Sequence, residues 1–373
     1  MEINIDNAFR LLGDFVNMDS GSHDKADVDR FVDRVEREFK LAGMYTKRIA
    51  MKNTGDCLQC TFGSGRRKIL LLGHMDTVFK TGTAAVRPFI KKGDILCGPG
   101  VLDMKGGIVV LLYAVKNVMN MLPKDTEIAV FLNSDEEIGS NYSKGKIQSI
   151  AQNCVAGLSF ESAKPGTLTT ERKGIMSFVL DVRGLSAHSG VNYEKGKSAI
   201  NELAHKICSL YSLYDKGKEI TVNIGTITGG EGINIVAGHA QARGEIRYFD
   251  MEDEIPLKKA VQKITREPFV EGTTTVLSFL SDRPPLKQDI KSGELFNIAK
   301  YEALKLGRDL VGRKTGGGGD VSFAACKGIP VLDGLGLEGE NSHTEEEYAL
   351  ADSFYFKIEL ASKIILDIAN GGI

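Results

Sequence analysis

Residues 68–76 read KILLLGHMD, an unbroken apolar run that stops at a histidine and an aspartate two positions apart. A run that is apolar at odd and even positions alike is a strand buried on both faces, as in a parallel sheet covered by helices. Two further runs behave the same way: 127–137 reads EIAVFLNSDEE and 154–161 reads CVAGLSFE. Each ends in potential metal ligands, namely His74 and Asp76, then Asp135, Glu136 and Glu137, then Glu161. In open α/β sheets, sites form outside the carboxyl ends of the strands, so these groups are expected to converge in space. Repulsion among that many carboxylates calls for positive charge, yet no lysine or arginine lies within these strand ends. Histidine with several carboxylates is the ligand set of zinc, with manganese or cobalt as alternatives. GPGVLDMKGG (98–107) adds Asp103 ahead of a long apolar helix, and GLEGENSHTEEE (336–347) adds His343. Together they suffice for two ions sharing a bridging carboxylate.

Outward from these strands, Val28, Phe31, Val32, Val35 and Phe39 repeat at helical spacing over 26–42, with Gly43 as a stop. GIVVLLYAVKNVMNML (107–122) reads as another helix. From Lys173 the texture changes to GIMSFVLDVRG (strand), SAINELAHKICSLY (helix), ITVNIGTITGG and AQARGEIRYF (strands), PLKKAVQKIT (helix) and TTTVLSFLS (strand). That βαββαβ order is the pattern of a ferredoxin-like insert. After Pro284 and Pro285 come a helix (LFNIAKYEALKLG), a glycine-rich loop, a buried strand (IPVLDG) and a last helix (SFYFKIELASKIILDIA). The expected architecture is α/β: a mixed, largely parallel sheet with helices on both faces, over 1–172 and 284–373, interrupted by the insert at 173–283.

Length and charge agree with a multidomain protein acting on small molecules. The chain has 373 residues, 47 Lys+Arg against 49 Asp+Glu and a formal charge of -2. With no long basic block, neither nucleic acid nor an anionic membrane is an expected partner. The N-terminal stretch scatters acids through its apolar residues and is not expected to be a signal peptide. The longest uncharged apolar stretch, Gly106 to Val115, is about half of the roughly 20 residues a membrane helix needs. Six cysteines are too sparse for a disulfide scaffold, so a cytoplasmic location is expected. Cys57 and Cys60 form a CxxC inside a strand-like CLQCTFG, where a coincidence is favoured over a redox or zinc motif.

GHMDTVF, GPGVLDMKGG, NSDEEIGS, SFES, SAHSG and NSHTEEEY occur in the order seen in the binuclear zinc peptidases of the aminoacylase and glutamate carboxypeptidase type. The resemblance runs from about residue 69 to the C-terminus. It looks most like the carboxypeptidase G type, and is more distantly similar to succinyl-diaminopimelate desuccinylase and acetylornithine deacetylase. The resemblance implies that His74, Asp103, Glu137, Glu161 and His343 hold two Zn2+, with Asp103 bridging. It makes Glu136 the general base and Asp76 the group that orients His74, since in an extended segment both side chains point the same way. A cis peptide is implied between Asp103 and Met104. In the insert, His188 matches a histidine that reaches the partner subunit's active site in a homodimer and steadies the oxyanion, so the insert is read as a dimerisation domain. Asn234 and Arg247 match substrate-binding residues. Two departures stand out: Ala237 replaces the family's proline, and Lys314 replaces an arginine before TGGG that binds the terminal carboxylate. Lys314 has a single charged contact to offer and no fork.

The implied reaction is hydrolysis of an amide in a small peptide or N-acyl amino acid, by a carboxypeptidase or deacylase. A tripeptidase or aminopeptidase is the alternative, although Glu at 161 resembles the carboxypeptidase and deacylase branch. His23, His205 and His239 are read as ordinary residues, His205 in a helix and the others in loops. Glu345, Glu346 and Glu347 read as a solvated helix start. GLGLEG (334–339) fits GxGxxG but no clear helix follows it, and TGGGGD lacks the GK[ST] ending of a P-loop.

Overall fold

The computed structural model describes residues 5–373. Its chain opens with α1 (Ile5–Val16) and α2 (Lys25–Leu41). Val28, Phe31, Val32, Val35 and Phe39 of α2 are all buried, as the 3.6-residue period requires. The Asp24 side chain accepts from the Asp27 N–H at the start of α2, and Gly43 beyond its end takes φ 87°.

The strands β1 (Tyr45–Ile49), β2 (Cys57–Gly63) and β3 (Arg67–His74) follow, then α3 (Gly106–Val118), β4 (Thr126–Asn133), α4 (Lys144–Ala151), β5 (Ala156–Ser159) and β6 (Thr167–Arg172). Helix α3 ends at Val118, short of the expected 122, and turns through Met121 before Pro123. The chain then leaves for a second unit and returns with α7 (Ile290–Lys305), β11 (Val331–Leu332) and α8 (Ala351–Ala369), the labels between belonging to that unit. The central sheet has six strands in the order β1-β2-β4-β3-β5-β11. The pairs β4/β3, β3/β5 and β5/β11 are parallel, and β1/β2 and β2/β4 antiparallel. On β3, Ile69, Leu70, Leu71 and Leu72 are all buried, so both faces of the sheet are covered.

Two compact units result, one formed by the described residues up to Glu171 with Gln288–Thr315 and Gly319–Ile373, the other by Arg172–Lys287 with Gly316–Gly318. The second unit contains β7 (Gly174–Arg183), α5 (Ala199–Tyr211), β8 (Thr221–Gly229), β9 (His239–Tyr248), α6 (Met251–Arg266) and β10 (Thr274–Arg283). Its sheet runs β8-β9-β7-β10, antiparallel throughout. This is the ferredoxin-like order, in which the first and third strands lie in the middle. Met176, Phe178, Leu180 and Val182 alternate inward on β7 and pack with Leu203 of α5 and Val261 of α6. Helix α6 begins at Met251, ahead of Pro256, with Glu252, Asp253 and Glu254 favoured at its positive end. Among the described residues no helix is long and apolar enough to cross a membrane.

Candidate metal centre

Strands β4, β3 and β5 are neighbours, and their register decides what meets at their carboxyl ends. His74 lies opposite Asn133, so Glu136 and Glu137 follow directly from the neighbouring strand end. Leu72 lies opposite Ser159, which carries Glu161 level with His74 two residues on. His74 Nε2 is 3.6 Å from Glu161 Oε1 and 3.2 Å from Asp103 Oδ1. The other oxygen of Asp103 is 3.3 Å from Nε2 of His343, which is 3.1 Å from Glu137 Oε2. Two triads therefore share Asp103: His74, Asp103 and Glu161, and Asp103, Glu137 and His343, each with its ligand atoms within 4.8 Å of one another. The Asp103–Met104 peptide is cis. Gly107 lets α3 approach the strand end, since a Cβ there would lie 2.0 Å from the Phe160 carbonyl oxygen.

The charges of this cluster fit a cation. Burial disfavours a charged His74, yet the carboxylates of Glu161, Asp103, Asp76 and Glu136 outweigh it and hold the imidazole well above its ordinary value. Asp103 and Glu137 push His343 up to about 11. Burial, with Asp103 and Glu136 nearby, lifts Glu137 to about 7 against the pull of His343. Glu137 Oε1 is buried and finds no hydrogen-bond donor among the described residues. A buried carboxylate oxygen without a donor, in a cluster of two imidazoles and three carboxylates, is an arrangement that metal ions would relieve.

The residues around the triads have further partners. The ring of His74 is held chiefly by the Asp76 backbone, with Nδ1 2.9 Å from the carbonyl oxygen and 3.5 Å from the carboxylate. The Asp76 carboxylate also accepts from Ser22 Oγ (2.7 Å) and from the N–H groups of Glu136 and Glu137 (3.2 Å each), so it shapes the loop that carries Glu136. Asp135 turns away from the cluster, accepting from Tyr142 N–H at 2.8 Å and Ser143 N–H at 3.2 Å. Buried Asp320, from the glycine-rich loop, accepts from Asn133 Nδ2 at 2.6 Å and from the Ser140 hydroxyl.

The acidic run is not a helix start. Glu345 and Glu346 are exposed, but Glu347 is 1% exposed and precedes the short strand Tyr348–Leu350. Its carboxylate accepts from the N–H groups of Gly100 (3.0 Å), Leu102 (2.9 Å) and Asp103 (3.0 Å). A signal for this did exist, because in an extended segment residue 347 shares a face with buried Ala349.

The remaining candidates have partners of their own. His188 is exposed, and its Nδ1 accepts from the N–H groups of Gly190 (3.1 Å) and Val191 (3.3 Å), which leaves the proton of the neutral ring on Nε2. Asn234 is exposed and its carbonyl accepts from Ser189 N–H at 2.9 Å. Arg247 has its fork engaged, with Nε and Nη2 on Glu245 and Nη1 on the Gly316 carbonyl at 2.7 Å. Lys314 Nζ is 3.5 Å from Glu171. His239 opens β9 instead of lying in a loop and bonds Asp181 at 2.9 Å, and His205 stacks on Phe269. The glycines of GLGLEG serve packing, since a Cβ on Gly336 would lie 2.3 Å from the Phe160 carbonyl oxygen. Beside Glu137 opens a cavity of about 390 Å³, lined by Val78, Phe79 and Ile138 with His23 and Lys80.

Paired imidazole and carboxylate triads at the carboxyl end of a parallel sheet define a centre of the metallohydrolase class. A family model for peptidase family M20/M25/M40 matches residues 70–367. Carboxypeptidase G2 of Pseudomonas sp. (strain RS-16) is 29% identical over 370 residues, covering 97% of this chain and 89% of that one. A succinyl-diaminopimelate desuccinylase of Xanthomonas euvesicatoria is 25% identical over 327 residues, 79% of this chain and 82% of that one. Among solved structures, an M20 family metallo-carboxypeptidase of Sulfolobus solfataricus superposes with TM-score 0.78 at 17% identity, covering 97% of this chain and 99% of that one. A tripeptidase of Staphylococcus aureus gives 0.77 at 23%, covering 99% and 100%. The chain belongs to peptidase family M20/M25/M40, as its ordered motifs imply, and is a metal-dependent exopeptidase.

Proposed function

We propose that this chain is a cytoplasmic, homodimeric two-zinc carboxypeptidase or N-acyl-amino-acid deacylase acting on small carboxylate-bearing amides. The observation that carries the reading is the sharing of Asp103 between two triads. His74 and Glu161 would complete one zinc site, Glu137 and His343 the other, with Co2+ or Mn2+ as alternatives. The ions would supply Lewis acidity, polarising the scissile carbonyl and lowering the pKa of water towards about 7. Glu136, whose backbone is tied to Asp76, takes the proton from the attacking water as its oxygen bonds to the carbonyl carbon. It returns that proton to the nitrogen as the C–N bond breaks. His188 of the partner subunit would donate its Nε2–H to the oxyanion.

Asn234, Arg247 and Lys314 are the groups for the substrate's carboxylate. Because the fork of Arg247 is occupied by Glu245, the carboxylate must either compete with it or rely on single contacts. The cavity beside Glu137 suits the other half of the substrate: Val78, Phe79 and Ile138 offer apolar contact and Lys80 a cation at the rim. The relatives that are a carboxypeptidase and a desuccinylase favour this reading over an aminopeptidase. The experiment is release of amino acid from C-terminally varied dipeptides, N-acetyl and N-succinyl amino acids and a folate-like glutamate conjugate, with zinc and after chelation. Chelator-sensitive release from substrates with a blocked amino group is expected, and Glu136→Gln should lower kcat by at least about 100-fold with metal content kept. Activity confined to free-amine peptides would transfer the chain to the aminopeptidase alternative.

A further inference from the structure

Glu347 lies four positions beyond His343 and reaches across to the backbone that carries Asp103. Its two carboxylate oxygens take three N–H groups from Gly100, Leu102 and Asp103, all at 2.9–3.0 Å. These donors belong to a turn that Gly100 allows through its φ of 72°. One of them is the N–H of Asp103 itself, so the clamp ends a single bond from the Cα that bears the shared carboxylate.

We propose that Glu347 is a positioning residue: a buried anionic clamp that fixes the Asp103 backbone, so that one carboxylate oxygen faces His74 and the other His343, and thereby sets the affinity of both metal positions together. The inference rests on the two-metal reading above. An ionised carboxylate suits this place because it is all acceptor, whereas the amide of glutamine would turn an NH2 against a backbone N–H. An apolar side chain would leave three buried donors without a partner. The clamp also joins two segments of the site, since the loop before α3 supplies Asp103 and the segment before Tyr348 supplies His343. Motion of either segment changes the distance on which both triads depend.

The test is Glu347→Gln, titrated after metal removal with zinc against a chromophoric chelator. Both stepwise zinc dissociation constants are expected to rise by about 10- to 100-fold. The turnover lost should return as free zinc is raised, while Glu346→Gln, at an exposed neighbour, leaves both constants unchanged. Unchanged zinc constants with a lowered unfolding temperature of the metal-free protein would show a merely structural role and overturn the proposal, as would a rise confined to one ion. Should Glu347→Gln fail to fold, Glu347→Asp keeps the charge but withdraws it by one methylene, and the same paired rise decides. Failure of the unaltered protein to bind two zinc ions would instead count against the function proposed above.

Discussion

Cys57 and Cys60 are three residues apart on β2, an odd offset that directs their side chains to opposite faces of the strand. Burial, with some repulsion from Asp135, pushes the Cys57 thiol up to about 12, and burial raises Cys60 as well. Neither is a thiolate at neutral pH, so neither has the nucleophile that a redox motif needs. Iodoacetamide applied to the native protein at pH 8 should therefore modify exposed Cys208 and Cys326 and spare Cys57 and Cys60 until denaturant is added. Peptide mapping checks this, and native labelling of either CxxC thiol would reopen the redox reading. At this scale the sequence discloses residue types well and their partners poorly. His74, Asp103, Glu137, Glu161 and His343 were legible because each lies in one of the ordered motifs, and the fold gathers them. Glu347 was misread because a run of three acids is ordinarily solvated, and what buries the third is a set of backbone donors near residue 100.

At the scale of elements, Asp56 ties α2 to the first two strands. Its carboxylate accepts from Lys25 Nζ (2.6 Å) on α2, Arg48 Nε (2.7 Å) on β1 and Met51 N–H (2.9 Å), and its own N–H donates to Asp29 on α2 (2.8 Å). Burial opposes the charge, but Lys25, the Met51 N–H and Arg48 together hold this carboxyl below the ordinary aspartate range. A depressed folded-state pKa contributes stability that is present above the unfolded value of about 4 and is lost as pH falls through the folded value. Asp56→Asn should thus cost about 2 kcal/mol at pH 7, with the gap from the unaltered protein narrowing below about pH 4. Urea unfolding of the metal-free protein across that range is the measurement, and a gap independent of pH would contradict it. Periodicity located α2, β2 and β3 to within a residue or so because one face or both are buried along their whole length. It overran α3, where apolar residues continue past Val118, and β11, whose paired strand is only Val331 and Leu332 of IPVLDG.

For the whole molecule, the consequence to test is sharing of His188 between subunits. Glu136→Gln and His188→Ala are each expected to be inactive alone, but a co-expressed mixture should recover roughly a quarter of normal activity, since random pairing gives mixed dimers in half of cases, each with one complete site. A mixture as inactive as its components would refute the shared site. The sequence by itself determined the class: buried runs alternating with helices, the βαββαβ order and the ligand residues at strand ends all follow from local periodicity and residue chemistry. Only the tertiary structure decided which oxygen meets which donor. It placed Asp103 between two imidazoles, turned the Asp76 carboxylate onto the Glu136 loop, engaged the fork of Arg247 with Glu245 and brought Glu347 under a turn 247 positions away. Periodicity encodes how one element faces the core, whereas a hydrogen bond between distant segments depends on register and loop path, which no local pattern contains.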